Sequence, residues 1–278
     1  MNTILVPTDF SKDATKALNY AIKLAESNQS KIILFHACHL NYVSWDFATE
    51  LVTEQNVFLV NEMEKKMALI CEKMRKKHDL TFEYINKEGL FLDILQGVIK
   101  KNHVDLVVMG TKGATGLEKV FFGSNTAKAV RTVSCPVLVI PKNSSNRSIK
   151  KVVYATDYSA NNIADLQKLV EFTRGANAQI KVVHIAVGED SVEVEEELLN
   201  KFKTKVFKKI DSTRLRFEIL YGLDIDGVLE QYMKKDSTHL FSISTRHRTI
   251  LDRIFGTKSV TKEMVFHSNI PVLVYHKK

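Results

Sequence analysis

Short apolar segments alternate with longer amphipathic segments along the first half of the chain, and this alternation predicts its secondary structure. Near-continuous apolar segments indicate parallel strands covered on both faces, whereas apolar residues three or four positions apart indicate helices. The predicted strands are Ile4–Val6, Ile32–His36, Phe82–Ile85, Leu106–Met109 and Val137–Ile140. The predicted helices are Ser11–Ser27, Val57–His78, Leu92–Asn102 and Ser124–Thr132, and the pattern is less regular over Asn41–Glu54.

The second half of the chain repeats the first. Thr3–Ser11 matches Lys151–Ser159 at an offset of 148 residues, and Cys135–Ile140 matches Ile270–Tyr275. The polar segment between the halves has no periodicity and is typical of a linker. We therefore predict two domains, residues 1–143 and 150–278, joined by a linker at 144–149. The strands predicted in the second half are Val152–Ala155, Ile180–Ile185, Arg216–Ile219, Leu240–Ile243 and Val272–Tyr275.

Strand–helix alternation in both halves predicts right-handed crossovers and a doubly wound α/β fold. Each domain is expected to be Rossmann-like, with an open parallel five-stranded sheet and helices on both faces. The last strands, Pro136–Ile140 and Pro271–Tyr275, are apolar and expected at sheet edges, where unpaired backbone groups favour association. We expect the two halves to pair these edges as an intramolecular pseudo-dimer, with higher oligomers left open, and the isolated first half to dimerise.

Charge and cysteine content narrow the range of functions. The net charge of +8 divides into +3 over residues 1–143, +4 over 150–278 and +1 from Arg147 between them, and the basic residues are interleaved with acidic ones. Such a distribution argues against nucleic-acid binding. No signal-like segment precedes Thr3, and no apolar stretch approaches the roughly 20 residues that cross a bilayer. Three separated cysteines are typical of reduced thiols, so we expect a cytoplasmic protein without membrane contact.

One glycine-containing loop carries most of the candidate chemistry. It follows the strand that ends at Met109, and its glycines are spaced Gly110-x2-Gly113-x9-Gly123, with Ser124 next. Ligands of open α/β sheets bind beyond the carboxyl ends of the strands. Glycines let backbone N–H groups approach an anion, and a helix N-terminus adds further donors. The loop therefore predicts phosphate binding, in which the Ser124 hydroxyl either caps the helix or donates to phosphate.

With Val6–Asp9 and Cys135–Val139, this spacing resembles the nucleotide-binding motif of the universal stress protein family, in its ATP-binding branch. The resemblance covers both halves and implies an adenine nucleotide α-hydrolase-like fold. It implies that the first domain binds an adenine nucleotide, ATP or AMP, with or without Mg²⁺. The site residues that it implies are Pro7, Thr8, Asp9, Ala37, Met109, Gly110, Gly113, Gly123, Ser124 and Asn125.

Roles follow from the same resemblance. It places Asp9 beside the nucleoside, the Ala37 backbone beside adenine, and Met109 and Gly110 beside the sugar and base. Gly113, Gly123, Ser124 and Asn125 would surround the phosphates. Family members usually have a small apolar residue after the serine, so the role of Asn125 stays open. An alternative interpretation of Asp9 is that it caps the helix that begins near Ser11.

The second half departs from this motif. When the repeats are aligned from the preceding strand, Ser244 and His247 replace Gly110 and Gly113. When they are aligned back from Pro271, Lys258 replaces Gly123. Side chains at these positions would fill the space that a phosphate needs. The second domain is therefore not expected to bind a triphosphate in the same way.

The resemblance implies a regulatory stress-response protein whose nucleotide occupancy is read by an unidentified protein partner. No candidate base or second acidic metal ligand accompanies the loop, so any ATP hydrolysis is expected to be slow. Two alternatives stay open: an ATP-using enzyme of related fold, and an interaction module without ligand control.

Overall fold

The computed structural model describes residues 1–38, 49–111, 123–145, 147–187, 191–244 and 269–276. The chain divides into two compact units, Met1–Val137 and Leu138–Lys278, called here the first and second unit. The division falls within the last strand of the first repeat. The domain boundaries given above, with their linker at 144–149, stay predictions.

The first unit contains parallel strands separated by helices. Its elements, including a last strand that crosses the division, are β1 (Thr3–Pro7), α1 (Lys12–Asn28), β2 (Lys31–Cys38), α2 (Thr49–Arg75), β3 (Phe82–Glu88), α3 (Phe91–Lys101), β4 (Leu106–Gly110), α4 (Ser124–Thr132) and β5 (Val137–Ile140). The strands pair in parallel in the order β3-β2-β1-β4. The ladder continues beyond β4, because the Val107 N–H donates to the Pro136 carbonyl at 3.0 Å, immediately before β5.

The core of the first unit lies on both faces of the sheet. All five residues of β1 are buried, and successive strand side chains point to opposite faces, so both faces are covered. Helix α1 packs against β1, β2 and β4. Its buried face includes Ala17, Ala21 and Ala25, small residues that permit close approach to the sheet.

The second unit has the same topology. Its elements are β6 (Lys151–Ala155), α5 (Ala160–Phe172), β7 (Gln179–Ala186), α6 (Val192–Phe207), β8 (Leu215–Tyr221), α7 (Ile225–Asp236), β9 (Leu240–Ser244) and β10 (Val272–Tyr275). The strands pair in parallel in the order β10-β9-β6-β7-β8. The predicted α/β fold with two copies of a parallel sheet is confirmed. None of the helices in the described ranges is long and apolar enough to cross a membrane.

Several element boundaries differ from prediction, among them the start of α2 and the end of β3. Helix α2 begins at Thr49 rather than Val57, so Thr49–Glu54, predicted to be irregular, is helical, whereas residues 41–48 lie outside the described ranges. Its first turns are rich in polar residues and show no apolar period. Strand β3 runs to Glu88 rather than Ile85, because polar residues 86–88 still pair with β2 through the backbone.

Candidate functional site

The carboxyl ends of β1, β2 and β4 lie side by side in the first unit. Strand β1 pairs with β2 on one side and with β4 on the other, so the strand order reverses at this edge. Pro7 is opposite Phe35 in the register, and the Thr8 N–H donates to the Phe35 carbonyl at 2.7 Å. Pro7, Thr8, Asp9, Ala37 and Gly110 therefore all lie at one edge of the sheet, where ligands of open α/β sheets bind.

The turn between β1 and α1 is held by the side chains of Thr8 and Asp9. The Thr8 hydroxyl accepts a hydrogen bond from the Phe10 N–H, and Asp9 Oδ1 accepts one from the Ser11 N–H, both at 3.0 Å. These bonds fix Phe10 in the left-handed region with φ 64°. Ser11 is the N-cap residue, because its hydroxyl accepts from the Ala14 N–H at 3.1 Å. Asp9 thus shapes the turn before the helix rather than capping it.

An imidazole and an ammonium group accompany this turn. His36 Nδ1 lies 2.7 Å from the Thr8 carbonyl oxygen, and the His36 ring packs 4.9 Å from the Phe10 ring. Lys66 Nζ lies 4.3 Å from the centre of the Phe10 ring, a cation–π distance. Lys66 comes from α2, so this edge carries a positive charge that the sequence motifs did not reveal.

Gly110 lies where β4 meets α1. A Cβ atom at Gly110 would lie 2.8 Å from the carbonyl oxygen of Asp13 and 2.9 Å from its carbonyl carbon. Backbone atoms cannot move aside as a side chain can, so this packing requires glycine whether or not a ligand binds. Beside it, the Thr111 hydroxyl lies 3.4 Å from Asp13 Oδ2, in a buried contact. Met109, the residue before Gly110, is also buried.

Two hydrogen bonds bring the start of α4 to the end of β4. The Gly123 N–H donates to the Thr111 carbonyl at 2.6 Å, and the Thr126 hydroxyl donates to the Gly110 carbonyl at 2.9 Å. They join the two ends of segment 112–122, which contains Gly113 and lies outside the described residues. The two bonds therefore place Gly123 next to the end of β4, where Gly110 lies.

The start of α4 is exposed and has no side-chain cap. Gly123, not Ser124, occupies the N-cap position, and no side chain there bonds to the first turn. Ser124 and Asn125 follow as the first two helical residues, and both are exposed. The first backbone N–H groups of a helix lack intrahelical partners and carry the positive end of its dipole. This end of α4 can therefore receive an anion.

No group of three or more histidine, cysteine, aspartate or glutamate side chains that could hold a metal ion occurs among the described residues. At the end of β2, burial raises the pKa of the Cys38 thiol and the nearby Glu88 raises it further, so the thiol is neutral at physiological pH.

The second unit reproduces the turn but adds a contact to its aspartate. Asp157 Oδ1 accepts from the Ser159 N–H at 3.0 Å, and Tyr158 has φ 61°. Asn162 Nδ2 also donates to Asp157 Oδ1 at 3.0 Å. Ser244, at the position of Gly110, is buried at the end of β9. The predicted replacements His247 and Lys258 lie outside the described residues.

Comparison with known proteins gives consistent matches over the site and over the whole chain. The model of the Universal stress protein family matches residues 1–141, a range that contains every predicted site residue. The chain is 24% identical over 298 residues to Universal stress protein Slr1230 of Synechocystis sp., covering 99% of this chain and 100% of that protein. It is 29% identical over 146 residues to Universal stress protein MJ0531 of Methanocaldococcus jannaschii, covering 50% of this chain and 81% of that protein.

The fold also matches solved structures. A universal stress protein from Archaeoglobus fulgidus superposes with a TM-score of 0.65 at 17% identity, covering 99% of this chain and 96% of that one. The match covers nearly the whole of both chains and shows a shared fold.

Proposed function

Since the chain belongs to the universal stress protein family, we propose that its first unit binds an adenine nucleotide, ATP or AMP, and that the protein is a nucleotide-responsive regulator in stress response. The observation that carries this proposal is the junction of β4 and α4. There the bond from the Gly123 N–H to the Thr111 carbonyl sets an exposed, uncapped helix start beside the edge where the strand order reverses.

The order of the strands supports an assignment of ligand parts to residues. Along the edge the order is β2, β1, β4, with neighbouring strands about 4.8 Å apart. We assign the base to the end of β2 at Ala37, the sugar to the end of β1 at Asp9, and the phosphates to the start of α4. The strand order is thus the order of base, sugar and phosphate in a nucleotide.

The phosphates would be bound by hydrogen bonds from neutral donors. The first N–H groups of α4 and the Ser124 hydroxyl are the donors, with Asn125 beside them. Such bonds to a charged phosphate are worth about 1.5–3 kcal/mol each. If Mg²⁺ accompanies the nucleotide, its ligands would come mainly from the phosphates and water.

Regulation would follow from occupancy. Bound phosphate contacts Gly123 and Ser124, whose N-terminal neighbours are segment 112–122. We propose that a protein partner distinguishes the occupied from the empty state at this segment. Any hydrolysis of ATP would be slow on this proposal, so binding rather than turnover transmits the signal.

Isothermal titration of the full chain with ATP and with AMP tests the proposal, and a matched pair of variants sharpens it. Asp9 and Asp157 each accept a hydrogen bond from the serine N–H two residues on. Asn keeps that acceptor, so Asp9→Asn and Asp157→Asn should both preserve the turn. We expect one nucleotide per chain, affinity about tenfold weaker in Asp9→Asn, and unchanged affinity in Asp157→Asn.

Three results would contradict the proposal. If millimolar nucleotide produced no heat and no thermal shift, the remaining hypothesis would be an interaction module without ligand control. Weaker binding in Asp157→Asn than in Asp9→Asn, or equal weakening by both variants, would contradict a site confined to the first unit. Steady release of AMP and pyrophosphate from ATP would favour an ATP-using enzyme.

A further inference from the structure

The interior of the second unit is polar where the first unit is apolar. Four positions show this in the aligned strands β1/β6 and β4/β9 and the aligned helices α1/α5. Val6, Ala14, Ala17 and Val108 in the first unit correspond to Tyr154, Asn162, Asp165 and Ser242 in the second. All eight residues are buried. Such a matched exchange within a hydrophobic interior requires hydrogen-bond partners for each new polar group.

The four polar residues face one another. Tyr154 and Ser242 are opposite in the parallel register of β6 and β9, so their side chains lie on the same face of the sheet. Asn162 and Asp165 are three residues apart on the buried face of α5. Burial raises the pKa of Tyr154 well above its usual value, and the charge of Asp165 raises it further. The helix face and the sheet face are therefore in electrostatic contact.

Asn162 is oriented by its partners at the sheet edge. Its amide nitrogen donates to Asp157 Oδ1 at 3.0 Å and to the Ser159 hydroxyl at 2.6 Å. A carboxylate only accepts hydrogen bonds, so the amide cannot turn over without placing two acceptors against each other. The Asn162 carbonyl oxygen must consequently point into the interior, where it is fully buried without a hydrogen-bond partner.

Two hydroxyl groups share this condition. Tyr154 Oη and Ser242 Oγ are also buried, and neither has a hydrogen-bond partner at standard distance. The Asp165 carboxylate is close enough to the Tyr154 hydroxyl to accept a hydrogen bond from it, which leaves Tyr154 Oη able to accept one from a further donor. A bond between these two hydroxyls would leave the Asn162 oxygen, which accepts only, still without a donor. A water molecule can donate to the amide oxygen and still bond to both hydroxyls, and buried waters typically make about three hydrogen bonds.

We propose that the second unit contains an internal water site, in which one ordered water links Asn162 Oδ1 to the hydroxyls of Tyr154 and Ser242 between α5 and strands β6 and β9. The site lies beneath the edge where the strand order of the second unit reverses. It extends the hydrogen-bond chain from Asp157 through Asn162 into the core. The corresponding interior of the first unit, formed by Val6, Ala14 and Val108, has no polar side chain to hold water.

A crystal structure of the full chain, at a resolution that shows ordered water, is the direct test. We expect a density peak within hydrogen-bonding distance of all three oxygen atoms. Direct bonds among these side chains with no peak between them would overturn the proposal. A peak that contacts only one of the three would overturn it too, because the water would then not link helix to sheet.

A double-mutant cycle with Asn162→Ala and Ser242→Ala tests the link in solution by urea unfolding. Asn162→Ala also removes the bonds of Asn162 to Asp157 and Ser159. It does so whether or not Ser242 is substituted, so the free energy of these bonds cancels in the cycle. Ser242→Ala changes the equilibrium constant for unfolding by some factor. If one water joins the two residues, that factor should be at least about twofold smaller in the Asn162→Ala chain than in the wild-type chain. Equal factors in both backgrounds would count against a shared water.

The matched control pairs Ser242→Ala with Thr204→Ala. Thr204 is exposed on α6 and its hydroxyl bonds to the Asn200 carbonyl of the same helix. Because the two sites share no partner, their effects should be independent. Coupling of similar size in this control would count against a shared water, because Ser242 would then be coupled equally to a residue with which it shares no partner.

Discussion

At the scale of single residues, Gly110 has two possible reasons to be glycine, ligand binding and close packing against α1. In the sequence it opens a glycine-spaced loop, which suggests space for an anion. In the structure its missing Cβ is already required by the backbone of Asp13, 2.8 Å from where that atom would lie. A glycine motif therefore does not by itself show that each glycine faces a ligand, and substitution can separate the two reasons.

Gly110→Ala should destabilise the first unit by about 1–3 kcal/mol, because the added methyl overpacks against backbone that cannot move aside. Gly97→Ala is the matched control. Gly97 lies exposed within α3, and a Cβ there would meet nothing within 4 Å. Alanine should stabilise that helix by about 0.5–1 kcal/mol. Urea unfolding followed by circular dichroism measures both changes. A Gly110→Ala chain as stable as wild type would show that β4 and α1 are not in tight contact.

The candidate site could be predicted in part from the sequence. The motif predicts a site at Asp9, Gly110, Gly123 and Ser124, and the structure places Asp9 after β1, Gly110 at the end of β4, and Gly123 and Ser124 at the start of α4 beside it. It did not identify Lys66, which reaches Phe10 from a helix far along the chain. Local patterns indicate which face of a helix is buried but not which strand that face meets. Contacts contributed by tertiary packing were consequently missed.

At the scale of elements, the two helices that begin at the site start in different ways. Helix α1 is capped by the Ser11 hydroxyl, which accepts from the Ala14 N–H. Helix α4 begins after Gly123, which has no side chain to act as a cap. The first is a structural start that satisfies its own donors. The second leaves backbone N–H donors available to a ligand. Ser11 and Ser124 both lie at the start of a helix, but only Ser11 caps its helix.

Ser11→Ala should therefore lower the free energy of unfolding by about 1 kcal/mol, the usual cost of losing an N-cap. Ser124→Ala should change it by less than about 0.5 kcal/mol, since Ser124 is exposed and makes no cap bond. For nucleotide affinity, the proposed function predicts the opposite order, with the larger effect in Ser124→Ala. Nucleotide binding should weaken about tenfold in Ser124→Ala and stay near wild type in folded Ser11→Ala. A larger stability loss in Ser124→Ala would contradict this division.

The sequence predicted which elements occur, and in what order, better than where they end. Strand centres and helices α1, α3 and α4 follow from apolar periodicity. The end of β3 does not, because its last polar residues are held by backbone pairing with β2. The start of α2 was missed for the related reason that Thr49–Glu54 has no apolar period. In β3, backbone pairing with β2 thus extends the strand beyond its last apolar residue, Ile85.

At the scale of the whole molecule, two units with one topology have different interiors. The first has apolar residues behind its sheet edge and an uncapped helix start in front of it. The second places Tyr154, Asn162, Asp165 and Ser242 in the equivalent interior. Duplication thus preserved the backbone while the buried side chains diverged. Most of the tyrosines whose pKa is raised by burial also belong to the second unit, which gives the chain a definite response to alkaline pH.

Ionisation of buried tyrosines should couple to unfolding above pH 10. Burial raises the pKa values of Tyr20, Tyr154, Tyr158, Tyr232 and Tyr275, several of them with help from nearby carboxylates. An unfolded tyrosine loses its proton near pH 10. From there upward the folded chain binds more protons than the unfolded chain, so the free energy of unfolding falls as pH rises and is unaffected by these groups at lower pH.

Absorbance at the phenolate band, recorded with far-ultraviolet circular dichroism during a pH titration, checks this expectation. The buried tyrosines should keep their protons while the helical signal persists and should ionise together in a cooperative step as that signal is lost. The chain unfolded in guanidinium is the control, in which all eight tyrosines should titrate near pH 10. Gradual ionisation of all eight with the helical signal intact would mean that the phenols are accessible to solvent. Tyr154 would then lie outside a closed interior, and neither the burial assigned to it nor a water held beside it would stand.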